Sequence, residues 1–173
     1  MGHMAPEASG GGMIRKGWTS DGATISECGS YRYWLGRSRN GGDGRVTFIM
    51  LNSSDADAER DDPTIRRCLG FAEAWGKRQF VALNLFGWRD SDPMALLRCA
   101  DPIGPENDAY LLKAEGLVVC AWGTGGTIRS RSWQVRQMLM ASGLTLHHLG
   151  LTKHGYPKHP LYLRGDLMPM VWA

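Results

Sequence analysis

The sequence predicts a single α/β domain: a three-layer αβα sandwich on a central, mostly parallel four-stranded sheet, with one antiparallel strand added at the N-terminal side. Three observations point there. Four short, nearly continuous apolar runs recur along the chain, which is how strands buried on both faces read. Between them lie segments with helical apolar spacing, two of them opened by an Asp-Pro pair. The length of 173 residues suits one core that buries roughly two thirds of the unfolded surface.

The opening Met1-Gly2-His3-Met4 looks like an expression-vector scar, and the Gly-, Ala- and Ser-rich stretch continues to Gly12. Residues 1–12 are therefore expected to be disordered, and residues 13–173 to form the domain. Residues 31–37 read as a strand, followed by the turn-forming Asn40-Gly41-Gly42-Asp43-Gly44. The apolar run Val46-Thr47-Phe48-Ile49-Met50-Leu51 then suggests a hairpin whose second member is a buried central strand. A polar loop, residues 52–62, leads to Asp62-Pro63, a helix cap followed by proline at the first helical position. Ile65, Cys68, Leu69, Ala72 and Trp75 recur at helical spacing until Gly76 stops the helix.

Phe80-Val81-Ala82-Leu83 is the second buried strand, with a loop from Asn84 through Asp92. Asp92-Pro93 opens a short helix to Cys99, and a further helix is expected over residues 105–114. Leu117-Val118-Val119-Cys120-Ala121-Trp122 is the third strand, ending at Gly123. Residues 130–141 read as an amphipathic helix with Trp133, Val135, Met138 and Leu139 facing the core. Residues 144–149 form the fourth strand, with His147 and His148 as packing or surface residues.

Composition narrows the classes. Hydrophobic residues make up 43% and charged residues 21%, ordinary globular values. No apolar run approaches the roughly 20 residues of a membrane span, and no signal-peptide core is present. Cys28, Cys68, Cys99 and Cys120 are far apart with no CxxC pair, which argues against a zinc ribbon or cluster and for buried thiols in a reducing compartment. The expectation is a cytoplasmic monomer without metal or cofactor. The net charge of +3 is weakly basic and by itself identifies no partner.

In a parallel sheet ligands bind beyond the carboxyl ends of the strands, so the informative residues should follow Leu51, Leu83, Trp122 and Leu149. Asn52, Asn84, Gly123 and residues 154–159 stand there. An amide at Asn52 can position a water or a sugar hydroxyl, and Asp55 or Asp57 can activate that water or stabilise a cation. The competing reading is a solvated acidic loop. Asn84 offers one donor and one acceptor, which suits the edge of a nucleobase or, equally, the backbone of its own loop. Phe86 and Trp88 could stack on a base or plug the end of the sheet. His159, between Lys158 and Pro160, could donate to a leaving base as a neutral imidazole. Arg66, Arg89, Lys153 and Lys158, with Arg67, Arg129 and Arg131, flank the strand ends and suit phosphate contacts, although a solvated face is the commoner role for any one of them.

Several of these segments carry a resemblance. Phe48-Ile49-Met50-Leu51-Asn52, the stretch Ala56-Asp57-Ala58-Glu59-Arg60-Asp61-Asp62-Pro63-Thr64-Ile65-Arg66-Arg67-Cys68, Asn84-Leu85-Phe86, Gly104-Pro105-Glu106-Asn107-Asp108, Cys120-Ala121-Trp122-Gly123 and His159-Pro160-Leu161-Tyr162-Leu163 resemble the bacterial family catalogued as domain of unknown function 1643. The likeness covers residues 31–164. More distantly, Leu51-Asn52 after a buried strand is similar to the water-activating motif of the uracil-DNA glycosylase superfamily. Asn84 resembles its base-reading asparagine, and His159-Pro160 resembles its second motif. Ser53 stands where that superfamily has proline, and Leu161 where it has a small serine. The resemblance implies a uracil-DNA glycosylase-like fold, DNA as partner, and distinct roles: Asn52 positions water, Asn84 reads a flipped base and His159 stabilises the leaving base.

The first functional expectation is a DNA glycosylase that cleaves the N-glycosidic bond of a flipped, modified base. A second is a module that binds such a base or a nucleic-acid end without cleaving it. A third is a nucleoside or nucleotide hydrolase whose acidic loop holds a metal.

Overall fold

The computed structural model describes residues 12–173. The expected disorder of residues 1–11 lies outside the described residues, and Gly12 belongs to the domain rather than to a tail. The elements are β1 (Gly12–Met13), β2 (Thr19–Ile25), β3 (Arg32–Ser38), β4 (Arg45–Ser53), β5 (Arg60–Asp61), α1 (Pro63–Ala74), β6 (Gln79–Arg89), α2 (Ala95–Arg98), α3 (Asn107–Leu111), β7 (Leu117–Cys120), a 3-10 segment (Gly123–Ser130), α4 (Arg131–Ala141), β8 (Leu146–His148), a 3-10 turn (Pro160–Tyr162) and β9 (Met170–Val171).

Seven strands form one mixed sheet in the order β2-β3-β6-β4-β7-β8-β9, and β1 pairs with β5 in a separate two-stranded ladder. The four strands expected from the apolar runs, β6, β4, β7 and β8, form its parallel middle. The expected hairpin between β3 and β4 is not formed. Both edges of β4 are occupied, by β6 and β7, so β3 pairs antiparallel with the outer edge of β6, Leu35 opposite Ala82, and its hairpin partner is β2.

β6 also departs from the expectation. It does not end at Leu83 but continues to Arg89, because its ladder with β4 runs on through Phe86 opposite Asn52 and across a bulge to Arg89 opposite Ser53. Asn84 is therefore mid-strand, not at a strand end. The helix expected over residues 105–114 is shorter, Asn107–Leu111, and the fourth strand contracts to Leu146–His148.

Helices cover both faces. Asp62 caps α1 through its side chain, which accepts from the N–H of Ile65. Ile65, Cys68, Leu69, Phe71 and Ala72 of α1 pack on Val46, Phe48, Met50, Phe80 and Ala82 of the sheet. Burying each of the larger side chains contributes about 1.5–3 kcal/mol, so this face outweighs any single cap. On the other face Ile49, Val81, Leu83 and Leu85 meet Leu96 of α2, Leu111 of α3, and Val135 and Leu139 of α4. Trp133 does not join them. It is 66% exposed, because the buried stripe of α4 runs through Arg131, Val135 and Leu139 and Trp133 lies two residues, about 200°, out of phase with it. The thiols also divide: Cys68 and Cys120 are buried, but Cys28 is exposed and Cys99 half-buried. Among the described residues no helix is long and apolar enough to cross a membrane.

Parallel crossovers are right-handed, so a change of direction across the sheet must change face. From β4 the chain crosses to β6 by α1 on one face; from β6 to β7, and from β7 to β8, it crosses back on the face of α2, α3 and α4. The reversal opens a crevice beyond the carboxyl ends of β4 and β7, where this topology places ligands.

Candidate functional site

A cleft of about 140 Å³ occupies that crevice. The end of β4 contributes Met50, Leu51 and Asn52, and the first turn of α1 contributes Asp62, Thr64 and Ile65. Arg32, Ser54, Pro93 and His159 complete the wall. Pockets for drug-sized ligands begin near ~300 Å³, so this cleft takes a single ring or a small polar group rather than a whole nucleotide.

Asn52 is held by its amide nitrogen, which donates to the carbonyls of Asp90 at 2.9 Å and of Ser53 at 3.2 Å. The two bonds use both amide hydrogens and fix the side-chain orientation, leaving Oδ1 as the atom open to a ligand or a water. Ser53 is buried and donates to the carbonyl of Gly87 at 3.1 Å. A proline could make no such bond, and the hydroxyl ties the end of β4 to β6 across the bulge.

His159 caps the turn Pro160–Tyr162, its Nδ1 accepting the N–H of Leu161 at 3.3 Å. An Nδ1 that accepts must be unprotonated, so a neutral ring carries its proton on Nε2. Loss of surrounding water lowers the His159 pKa below 6.5, with the Asp62 carboxylate opposing that shift. Gly123, at φ +68°, approaches His159 so closely that a Cβ there would stand 3.6 Å from the histidine Cβ, and its N–H donates to the carbonyl of Pro157 at 2.8 Å. The end of β7 thereby seats the histidine turn beside β4. Asn52 and His159, predicted separately, line one cleft, while Gly123 packs against His159 from outside the lining.

Among the polar cleft residues, Arg32, Ser54, Asp62 and Thr64 were not singled out as site residues by the sequence reading. Asp62, read only as a helix cap, accepts the hydroxyl of Ser54 at 2.7 Å as well as the Ile65 N–H at 2.7 Å. Arg32 is 2% exposed, and its Nη1 donates to the carbonyl of Ala56 at 2.6 Å while its Nε is buried without a partner. Burial lowers its pKa to about 10, with Asp62 opposing, so it remains charged at neutral pH. The cleft thus carries a buried cation, the capping carboxylate, a hydroxyl, an amide oxygen and an imidazole.

Other predicted residues lie outside the lining. Asn84 is 1% exposed and sits opposite Met50 in the ladder, behind the cleft wall; its Nδ2 and Oδ1 are buried without partners. Its carbonyl and that of Leu85 accept from Asn107, and Arg131 also donates to Leu85, so Asn107 is spent on completing β6. Phe86 is fully buried in the core and Trp88 packs edge-on against Tyr31, so neither offers a ring face to a ligand in the cleft. Asp55 is exposed, and Asp57 accepts the N–H groups of Glu59 and Arg60 within its own turn. Asp61 forms a fully buried ion pair with Arg37 at 3.0 Å. The acidic loop is thus mostly consumed by structure, and among the described residues no three His, Cys, Asp or Glu side chains converge as a metal site would require.

The cations disperse. Arg66 donates to the carbonyls of Met13 and Asp61, Arg89 to that of Gly29, and Lys153 and Lys158 are exposed. None of the four lines the cleft.

No curated protein and no solved structure matches the chain. Residues 32–161, well over half of the chain, match the family described as "Protein of unknown function (DUF1643)", and the chain belongs to that family.

Proposed function

We propose that the chain is a glycosylase-like protein with a uracil-DNA glycosylase-like fold. It takes one flipped, modified base of DNA into the cleft and cleaves its N-glycosidic bond with water. The observation that carries this reading is the meeting of Asn52 and His159 in one cleft at the sheet's switch point. Oδ1 of Asn52 would hold the attacking water, and the Nε2 proton of His159 would meet the negative charge developing on the leaving base. Flipping delivers a single ring, which is what a cleft of about 140 Å³ admits. With Asn84 behind the wall, reading of the base edge falls to Ser54, Asp62 and Arg32.

One observation favours the binding-only reading. Asp55 and Asp57 do not reach the cleft, and the carboxylate that does, Asp62, is already bonded twice. A nucleobase would then be held without a free carboxylate to take a proton from the attacking water. The two readings separate on incubation of the protein with duplex and single-stranded DNA carrying diverse modified bases, with released bases identified by mass spectrometry. Base release that Asn52→Ala abolishes while binding persists supports cleavage. Release untouched by Asn52→Ala refutes the role of Asn52, and binding without release across the whole panel supports the module.

A further inference from the structure

A second cavity, of about 310 Å³, opens on the other side of the first turn of α1. Arg15, Arg66 and Arg67 line it beside Pro63 and Leu161, and among the described residues its lining includes no carboxylate. Arg15 is matched by Glu73, to which it forms an ion pair at 2.9 Å. Among the described residues neither Arg66 nor Arg67 is matched by a carboxylate. Arg66 lies over the backbone of Gly12, where a side chain would collide with it, and donates to the carbonyls of Met13 and Asp61. Among the described residues Arg67 has no hydrogen-bond partner: its guanidinium stacks 5.2 Å from the centre of the Phe71 ring, and its Nε is buried. Two guanidinium groups line this one cavity, each held by packing, and each presents the planar set of N–H donors that suits the oxygens of a phosphate.

The cavity and the cleft share their walls. Ile65 faces the cleft while Arg66 and Arg67 face the cavity, and His159 lines the first while Leu161 lines the second. α1 and the turn after His159 therefore border both, and an α-helix with its side chains is about 10 Å across. We propose that the Arg66–Arg67 cavity is a phosphate subsite. It holds the phosphate of the nucleotide whose base enters the cleft, or that of its neighbour along the strand. The choice of nucleotide ligands rests on the reading of the cleft given above.

The test uses the full chain and the variant Arg66→Gln/Arg67→Met, which keeps apolar stems over Gly12 and Phe71. Anisotropy titrations with a labelled single-stranded DNA of mixed sequence should show roughly 10–100-fold weaker binding for the variant, and a salt dependence shallower by about 1. Arg45→Gln, at the opposite end of β4, should leave both unchanged. The Nε–Hε resonance of Arg67 should move with the oligonucleotide, a nucleoside 5′-monophosphate or inorganic phosphate. A response to the DNA alone assigns the subsite to a backbone diester, and a response to the mononucleotide assigns it to a terminal phosphate. A variant with wild-type affinity and salt slope, or an Arg67 resonance unmoved by all three probes, overturns the proposal. Asn52-dependent base release that ignores the two arginines sinks the subsite alone. Arginine-dependent binding without base release sinks cleavage and leaves the subsite standing.

Discussion

Ser54 donates its hydroxyl to one oxygen of Asp62 while the other oxygen of that carboxylate caps α1. The bond couples the loop after β4 to the first turn of the helix, so one side chain both starts α1 and shapes the cleft. It also separates two effects of mutation. Both Asp62→Asn and Asp62→Ala remove the charge that offsets the buried Arg32, but Asn retains a capping oxygen, so the alanine variant should be the less stable of the two by about 1 kcal/mol. Because Asp62 raises the pKa of His159, both variants should lower it further. Urea denaturation and an NMR titration of His159 provide the readings, and a His159 titration that is unaltered in both variants would refute the electrostatic link.

Stability should fall as the solution is acidified through the histidine range. Burial lowers the pKa of His148, with the neighbouring His147 adding to the shift, and desolvation lowers that of His159. In each ring Nδ1 accepts a backbone N–H, from Gly150 and Leu161 respectively, and protonation there breaks the bond. The unfolded chain then binds more protons than the folded one, so stability rises with pH in this window. The contribution is complete above the unfolded pKa of about 6.5 and is lost as pH falls below it. Urea midpoints between about pH 7.5 and about pH 5.5 should show the slope, and His148→Gln/His159→Gln should flatten it. An equal slope in the double variant would assign the acid sensitivity to other groups.

The parallel middle of the sheet was legible because its strands are apolar on both faces, and α1 because Asp62-Pro63 and the spacing from Ile65 to Ala72 agree. β2 escaped because Thr19, Ser20 and Asp21 are exposed on a flanking strand and leave no apolar run. Asn84 was misplaced for a related reason: a polar residue after four apolar ones reads as a strand end, but Leu85 and Phe86 continue the ladder. At the site, Asn52 and His159 stood out by position. Arg32 could not, since only the topology that carries β3 to the far side of β6 brings its guanidinium to the end of β4.

Loss of Asp61 should damage the fold rather than the chemistry. Its carboxylate meets Arg37 with both side chains fully buried, and it also accepts the N–H of Arg15 at 2.8 Å. Asp61→Ala leaves the Arg37 charge buried and uncompensated, a loss of about 3–5 kcal/mol. Asp57→Ala removes only the bonds within an exposed turn and should cost about 1 kcal/mol. Chemical denaturation distinguishes them, and a comparable small effect of both would contradict the structural division of the acidic loop.

Asn84 provides the sharpest separation of stability from function. Its amide is buried with neither polar atom partnered, beside the strand that lines the cleft. Leucine has nearly the same shape and no polar atoms, so Asn84→Leu removes an unpaired amide without opening a cavity. Such a change should stabilise the fold by about 1 kcal/mol. A buried polar group retained at that cost is expected where function needs it. If Asn84 serves the cleft from behind its wall, the stabilised variant should bind or process its base more weakly than wild type. The denaturation midpoint and the base-release assay decide the matter together. A variant destabilised by more than about 1 kcal/mol would mean that the fold itself satisfies the amide, and a more stable variant with unchanged base handling would remove Asn84 from the site.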